Sequence, residues 1–156
     1  MNDLTHLNNS GEAVMVDVGE KEITRRTATA FAKIKMQPET LERLLSSSLK
    51  KGDGLATARI AGIMGAKRTW ELIPLCHNIP INSVEITFDN NQRDELYIYS
   101  LAKCTYKTGI EMEALTAVSV AALTVYDMCK AIDRKMQIEE VKLLSKTGGK
   151  SDFKND

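Results

Sequence analysis

Hydrophobic and polar positions alternate along four stretches of the chain, and this period of two predicts four β-strands. In the first stretch, residues 26–36, every second residue from position 28 onward is apolar. The other three stretches cover residues 84–88, 96–107 and 138–146. The polar residues 90–95 separate the second stretch from the third, so we expect these two strands to be antiparallel neighbours.

Apolar residues recur at helical spacing in three further stretches. The first begins near Pro38, which suits the first turn of a helix, and its leucines continue to Leu49. A second helix is expected after Asp53, an N-cap residue type, and extends to about Trp70. The strongest pattern covers residues 112–135 and is apolar on nearly every side. Such a helix is buried on more than one side, which in a small protein points to oligomerisation.

The order of these elements is strand, two helices, two strands, helix, strand. This is the βαββαβ plan of a ferredoxin-like α+β sandwich, with an antiparallel sheet and an extra helix in the first crossover. Residues 1–14 are predicted to be a mobile N-terminal segment, residues 15–150 a single catalytic domain, and residues 151–156 a polar C-terminal tail. The fold hosts many functions, so function has to be argued from the site residues.

Balanced charge and low aromatic content disfavour some classes of partner. The 156 residues include 21 basic and 21 acidic side chains, and only 5% are aromatic. A nucleic-acid binder needs a basic stripe with aromatic stacking surfaces, so this class is disfavoured. The three cysteines, Cys76, Cys104 and Cys129, have no CxxC spacing, which argues against a disulfide framework. With a polar N-terminus and no apolar stretch of about 20 residues, a soluble cytoplasmic protein is expected.

A lysine in a turn and a charged pair on the long helix are candidates for proton-transfer chemistry. Lys51 directly precedes a Gly-Asp-Gly turn, where the backbone can bend sharply and approach a ligand. Asp127 and Lys130 are three residues apart and share a helix face. Because their neighbours are apolar, we expect this pair to be partly withdrawn from water, which would perturb the lysine pKa. The alternatives, a surface lysine beside a capped helix and a solvated ion pair, stay open.

A histidine, a cysteine and two glutamates form a second candidate group. His77 lies in a stiff loop between two prolines and suits phosphate binding or proton shuttling. Cys76 beside it raises a metal site or a cysteine nucleophile, but the spacing of metal ligands is missing and a small core residue is the commoner role. Glu111 and Glu113, at the start of the long helix, complement the helix dipole or bind the donor edge of a purine or pterin ring.

Basic residues near element ends or glycines are candidates for a phosphate clamp. The stretch Ser145-Lys-Thr-Gly-Gly-Lys-Ser is not a Walker-type phosphate loop, because its spacing differs and no helix follows it. A nucleoside-triphosphatase is therefore excluded. The basic candidates are Arg26, Lys67, Arg68, Lys146 and Lys150.

Longer blocks of the chain resemble a known family. They are Met15-Val-Asp-Val, Lys51-Gly-Asp-Gly-Leu-Ala-Thr-Ala-Arg-Ile-Ala-Gly-Ile, Ala66-Lys-Arg-Thr-Trp-Glu-Leu-Ile-Pro-Leu-Cys-His, Lys107-Thr-Gly-Ile-Glu-Met-Glu-Ala-Leu-Thr-Ala-Val-Ser-Val-Ala-Ala-Leu-Thr-Val-Tyr-Asp-Met-Cys-Lys and Leu143-Leu-Ser-Lys-Thr-Gly-Gly-Lys-Ser. From Met15 to Asp152 the chain resembles the molybdenum cofactor biosynthesis protein C (MoaC) family, the cyclic pyranopterin monophosphate synthases. The resemblance implies a ferredoxin-like fold and a homohexamer, a trimer of dimers with active sites at subunit interfaces.

The resemblance also implies a lyase reaction on a small, nucleotide-derived substrate. The substrate would be (8S)-3',8-cyclo-7,8-dihydroguanosine 5'-triphosphate, and the products cyclic pyranopterin monophosphate and pyrophosphate. No cofactor is required for this step, and Mg²⁺ beside the phosphates is left open. No metal ligands are implied. The alternative from another class is a non-catalytic ferredoxin-like module that binds an anionic nucleotide or pterin metabolite.

Roles for individual residues follow from the same resemblance. Lys51 and Lys130 would be the general acid and base, and Asp127 would orient Lys130. The substrate-binding residues would hold the phosphates and the purine-derived ring. The phosphate group comprises Arg26, His77 and Lys146, and the ring group comprises Glu111, Met112 and Glu113, with Cys76 beside them.

Overall fold

A computed structural model describes residues 4–156 and confirms the α+β, ferredoxin-like plan. The first three residues of the predicted mobile segment lie outside this range. The elements follow in the order β1 (Thr24–Lys35), α1 (Pro38–Leu45), α2 (Gly54–Lys67), α3 (Thr69–Leu72), β2 (Ile81–Asn90), β3 (Glu95–Tyr106), α4 (Glu111–Cys129), β4 (Gln137–Thr147) and β5 (Phe153–Lys154).

The sheet is antiparallel, in the order β2-β3-β1-β4-β5, so β1 lies at its centre. The alternation that predicted β1 reflects its two faces. Ala28, Ala30 and Ala32 are fully buried in the core, while Phe31 points to the opposite face. There the Phe31 ring lies 5.2 Å from the ring of Tyr99, its partner on β3.

Helices α2 and α4 cover one face of the sheet and pack closely against each other. Small residues make the close approach possible. A Cβ added at Gly62 would lie 2.8 Å from the carbonyl oxygen of Ala117, and one at Gly65 would lie 2.7 Å from the side chain of Val120. The small-residue stretch of α2 therefore serves packing against α4.

Within the described range, α4 is the one helix long and apolar enough, by length and composition alone, to cross a membrane. Its apolar residues form part of the hydrophobic core. Ala114, Ala117, Val118, Ala121 and Val125 are fully buried in the core between α2 and the sheet. The helix is thus a core element, and its apolar character follows from contacts on two sides.

The first crossover differs from the prediction. Helix α1 ends at Leu45 and not at Leu49, because the chain turns at Ser47, which has a left-handed φ of 55°. Two helices, α2 and α3, occupy the stretch that was expected to form one, because Arg68 leaves helical conformation with φ −110° and ψ 11°. The crossover therefore holds three helices, one more than expected.

Helix α4 ends at Cys129 and not at residue 135, because Asp133 caps another helix. One oxygen of its buried carboxylate accepts hydrogen bonds from the backbone N–H of Gln37 at 2.8 Å and from the Thr40 hydroxyl at 3.0 Å, at the start of α1. The other oxygen accepts from the Lys135 backbone N–H at 2.9 Å. These bonds fix the connection between α4 and β4 in a non-helical path.

The C-terminal tail extends the sheet. Residues Phe153–Lys154 form β5 and pair with β4. The backbone N–H of Asn155 donates to the carbonyl oxygen of Leu144 at 2.6 Å. The tail thereby closes the glycine-containing loop that follows β4, which lines one of the cavities described next.

Candidate active site

One carboxylate joins the three residues expected to be catalytic. Asp127 Oδ2 lies 3.2 Å from Lys51 Nζ, and Asp127 Oδ1 lies 2.7 Å from Lys130 Nζ. Lys51 Nζ also donates to the backbone carbonyl oxygen of Asp127 at 3.1 Å. The fold therefore brings a loop lysine and a helix-end lysine to the same acidic group.

The turn before α2 places Lys51. Gly52 has φ +100°, a conformation that side-chain-bearing residues rarely adopt, and its N–H donates to the carbonyl oxygen of Leu49 at 3.0 Å. Asp53 is the N-cap of α2, as predicted, and its side chain accepts from the Ala56 N–H at 3.0 Å. Lys51 thus lies just before the N-terminus of α2, a capped helix that packs on α4.

The expectation that the pair is partly withdrawn from water is wrong for the single chain. The side chains of Lys51, Asp127 and Lys130 are 46%, 56% and 55% exposed, because their buried neighbours Met128 and Cys129 lie on other sides of the helix end. Hydrogen bonds from Lys130 and Lys51 lower the pKa of Asp127. The hydrogen bond to Asp127 raises the pKa of Lys130, so this side chain is protonated and positively charged here.

A second group lines a cavity of about 520 Å³ near the N-terminal end of α4, here called the basic cavity. Lys146 Nζ lies 3.1 Å from Glu111 Oε1. Arg26 donates to the carbonyl oxygens of Tyr106 and Lys107 at 3.2 Å and 3.3 Å, which fixes its guanidinium group. Arg26, Lys146 and Glu111 therefore line the same cavity. The sequence assigned Arg26 and Lys146 to the phosphates and Glu111 to the ring, and these roles stay predictions.

The loop after β4 forms one wall of the basic cavity. Gly148 has φ +91°, and an added Cβ would contact the backbone of Arg25, so only glycine allows this close approach. The Thr24 hydroxyl donates to the Gly148 carbonyl oxygen at 2.7 Å. Four cationic side chains surround the space: Lys21, Arg26, Lys146 and Lys150. This local charge suits a polyphosphate, although the chain as a whole carries no net charge.

An adjoining cavity of about 270 Å³, here called the histidine cavity, shares Glu111 with the basic cavity and is also lined by Cys76, His77, Met112 and Glu113. Glu113 is only 3% exposed, and its Oε2 atom is buried without a hydrogen-bond partner. Burial raises the pKa of Glu113 to about 7. Buried polar atoms normally have a partner, so this oxygen is available to a ligand N–H group.

The Nε2–H of His77 donates to the backbone carbonyl oxygen of Val16 at 2.7 Å, since a carbonyl oxygen can only accept. This bond fixes the imidazole and leaves Nδ1 for a ligand.

Burial and the nearby Glu113 carboxylate raise the pKa of the Cys76 thiol. A thiol that stays protonated argues against a nucleophilic role for Cys76.

The structure does not bring the two groups together. Asp127 lies near the C-terminal end of α4 and Glu111 at its N-terminal end, so at about 1.5 Å per residue they are about 24 Å apart along the helix. Proton transfer requires a lysine within about 3 Å of the reacting atom or one water away. Within one chain the two groups therefore lie too far apart to act on the same atom.

Some residues of the site were not predicted from the sequence. Val16 acts through its main-chain carbonyl, for which no side-chain signal exists. Lys21 lines both cavities but lies in a stretch without periodicity, next to a turn at Gly19. Two of the basic candidates, Lys67 and Arg68, line neither cavity.

Across residues 4–156, no group of three or more histidine, cysteine, aspartate or glutamate side chains is arranged to hold a metal ion. The side chains of the candidate site are lysines, an arginine, a histidine and carboxylates. Together with the fold, they define a class: a ferredoxin-like α+β protein with a cavity lined by cationic side chains and a carboxylate-bridged lysine pair.

Comparison with known proteins places the chain within that class. A sequence model of the MoaC family matches residues 15–149, and the chain belongs to this family. The family expected from the sequence is confirmed.

Three curated relatives are each named cyclic pyranopterin monophosphate synthase. The relative from Peptoclostridium acidaminophilum is 58% identical over 96% of this chain and 94% of its own length. The one from Herpetosiphon aurantiacus is 56% identical over 97% of this chain and 94% of its own. The one from Brevibacillus brevis is 55% identical over 95% of this chain and 92% of its own.

Proposed function

We propose that this protein is a cyclic pyranopterin monophosphate synthase, a lyase of molybdenum cofactor biosynthesis. Its family and its relatives, which match almost the whole chain, support this function. The substrate is (8S)-3',8-cyclo-7,8-dihydroguanosine 5'-triphosphate, and the products are cyclic pyranopterin monophosphate and pyrophosphate. The structural observation that carries the proposed mechanism is the Asp127 carboxylate that bridges Lys51 and Lys130.

Lys51 and Lys130 move protons in this reaction. Opening one ring and building another requires a proton donor and a proton acceptor, and an ammonium–amine pair of lysines can supply both. In the single chain Lys130 is the charged donor, because Asp127 raises its pKa. The acceptor has to be a neutral amine, which requires a lowered pKa, and removal from water lowers a lysine pKa. A second subunit that covers the half-exposed lysines would provide this.

The basic cavity binds the triphosphate and stabilises the departing pyrophosphate. Arg26 and Lys146 are the cationic phosphate-binding side chains, and charge-assisted bonds of this kind are strong. His77, from the adjoining histidine cavity, joins them as an imidazolium, whose Nδ1–H donates to a phosphate oxygen while Nε2–H stays bonded to Val16. Lys146 now pairs with Glu111, so it exchanges this carboxylate for a phosphate oxygen when the substrate binds. Pyrophosphate carries more charge as it leaves, and fixed cations favour that step.

The histidine cavity binds the purine-derived ring. Glu113 offers a buried acceptor oxygen without a partner, and the ring has N–H donors at its guanine-like edge. Glu111 and Met112 lie next to it at the start of α4, and Cys76 faces the same space. A buried acceptor disfavours ligands that lack a donor at this position, because the oxygen would stay unpaired.

A second copy of the chain completes each site. We propose a homohexamer, a trimer of dimers, in which the lysine pair of one subunit meets the cavities of another. The separation of about 24 Å along α4 supports this arrangement. So does the number of exposed apolar residues on α2, α3, α4 and the segment after α3, since such surfaces mark interfaces. They are Ile60, Met64, Trp70, Leu72, Ile73 and Leu123.

We also infer that the protein works in the cytoplasm. Its cysteines, Cys76, Cys104 and Cys129, are all free thiols. Burial raises the pKa of Cys104 and of Cys129 to about 11, which keeps both thiols unreactive. Free, unreactive thiols are typical of a reducing compartment.

A turnover assay tests the function. Purified protein is mixed with the enzymatically prepared cyclic dihydro-GTP, and pyrophosphate and the cyclic-phosphate pterin are followed by mass spectrometry. We expect turnover by the wild type and by Lys50→Ala, a matched exposed lysine next to the site, and a loss of at least about 100-fold in Lys51→Ala and Lys130→Ala. Ligand binding without any product from a folded wild type would instead support the non-catalytic binding module.

A further inference from the structure

Residues 6–14, just before the family-matched part, form a small hairpin. Leu7 and Ala13 form an antiparallel bridge, and the Val14 N–H donates to the His6 carbonyl oxygen at 2.9 Å. The Asn8 side chain accepts from the backbone N–H groups of residues 10 and 12, both at 2.9 Å, and closes the turn. The turn includes Gly11 with φ +78°. The match to the MoaC family begins at residue 15, after this hairpin.

The hairpin reaches the histidine cavity. Thr5 and His6, at its start, line the cavity together with His77 and Glu113. The segment that follows the hairpin lines the same cavity with Val16 and Val18, and it makes the hydrogen bond to His77 described above. The two ends of the segment, Thr5 and His6 before the hairpin turn and Val16 and Val18 after it, therefore form one wall of the cavity.

This wall is anchored at one end and loosely packed at the other. Val18 is buried, and the ammonium group of Lys107 donates to the carbonyl oxygen of Gly19 at 3.1 Å. By contrast, Leu7, Val14 and Met15 are 46%, 40% and 49% exposed, so the hairpin contributes little apolar packing. Segments with few buried contacts open at low free-energy cost.

We propose that residues Thr5–Val18 form a strap that closes over the ring of the bound substrate and positions His77 through the Val16 carbonyl. This inference rests on the proposed function, because the ligand in the histidine cavity is the substrate of that reaction. The strap excludes water from the ring and holds the imidazole with Nε2–H on the protein side. Val16 is a positioning residue, and His6 and Thr5 form part of the wall.

Two deletion variants distinguish the contribution of the cavity wall from that of the hydrogen bond between Val16 and His77. Removing residues 2–13 takes away the hairpin and leaves Val16, so KM is expected to rise about tenfold with kcat nearly unchanged, as for a loss of uniform binding. Removing residues 2–17 also takes away the Val16 carbonyl, so kcat falls as well. The ¹⁵N chemical shifts of the His77 ring report its tautomer; we expect them to change in the longer deletion only.

Point variants control for the effects of truncation. Gly11→Val strains the hairpin turn and has open space around its Cβ, so it perturbs the strap alone and is expected to raise KM in the same direction. Arg93→Ala, in the exposed turn between β2 and β3, is expected to leave KM unchanged. If Gly11→Val and Arg93→Ala changed KM equally, the proposed strap would be contradicted.

Hydrogen exchange shows closure directly and separates the strap from the proposed function. Amides of residues 5–18 are expected to exchange more slowly when wild-type protein is saturated with the cyclic dihydro-GTP or with GTP, which has the ring and phosphates but not the extra ring bond. Slower exchange without turnover would support the strap while the synthase function fails. Turnover with unchanged exchange and unchanged KM in the shorter deletion would overturn the strap and leave the function standing. Unchanged exchange with both ligands would also overturn it.

Discussion

Asp127 and Lys51 lie 76 positions apart in the chain, yet a carboxylate oxygen of Asp127 is 3.2 Å from the ammonium nitrogen of Lys51. The contact exists because the capped α2 packs along α4, which brings the turn before α2 to the end of α4. With Lys130 on the other carboxylate oxygen, Asp127 holds both ammonium groups close to each other. The fold thus brings lysines from a loop and from a helix end to one carboxylate.

Asp127→Asn is expected to lower kcat by about 100-fold or more, because a neutral amide cannot form ion pairs that hold both ammonium groups in place. Exposed ion pairs contribute little to stability, so the melting temperature should stay within about 2 °C of the wild type. Steady-state kinetics measure kcat, and calorimetry measures the melting temperature. Asp156→Asn, a matched aspartate in the tail, should change neither. Wild-type kcat in Asp127→Asn would show that the bridge has no role in catalysis.

Glu113 should make the protein less stable as pH rises from about 5 to about 8. Its pKa is raised to about 7, so between its unfolded value near 4.5 and about 7 the folded state holds more protons than the unfolded state. This loss amounts to at most about 3 kcal/mol. Glu113→Gln cannot titrate, so the difference in unfolding free energy between variant and wild type should grow in favour of the variant across this range. Urea unfolding at several pH values measures it; a constant difference would contradict the burial of a titrating carboxyl.

Asp133 should have the opposite pH dependence. Burial opposes its charge, but hydrogen bonds from Gln37, Lys135 and Thr40 outweigh it and lower the pKa of Asp133. Its stabilising effect is therefore present above the unfolded pKa near 3.8 and is lost as pH falls below it. At pH 7, Asp133→Ala leaves buried donors unpaired and is expected to cost about 2–3 kcal/mol of unfolding free energy. A cost under about 0.5 kcal/mol in urea unfolding would contradict the capping role.

Gly62→Ala tests the contact between α2 and α4. Alanine favours a helix by up to about 1 kcal/mol over glycine, but the new Cβ would lie 2.8 Å from the Ala117 carbonyl oxygen, which cannot move aside. We expect a net loss of about 1–3 kcal/mol in unfolding free energy. Thr57→Ala, on the exposed side of the same helix, should show no such loss. Stabilisation by Gly62→Ala would mean that the two helices are less closely packed.

The sequence predicted the sheet well, because burial on one face imposes a period of two that local patterning records. In β1 the buried alanines alternate with residues of the other face, and the strand is found within two residues of its expected ends. The predicted α4 was longer than the observed helix, because the apolar spacing in the sequence continues to Ile132. That residue is 41% exposed, and the tertiary bonds of Asp133 decide the path instead.

The site could be predicted only in part. Motif blocks named Lys51, Asp127 and Lys130, and the structure brings these three together. Their exposure could not be predicted, since it depends on which side of the helix end is covered by other elements. The role of Val16 is carried by a main-chain oxygen and leaves no trace in residue type.

Complementation between subunits tests whether each site combines the lysine pair of one chain with the cavities of another. Lys51→Ala and His77→Ala chains, each nearly inactive alone, are co-expressed with different tags, and mixed oligomers are purified. In random assembly about one quarter of shared sites pair two intact halves, so we expect turnover to return to about one quarter of the wild-type value. If every site lay within a single chain, each site would carry one lesion, and turnover by the mixed oligomers would stay at the level of the single variants.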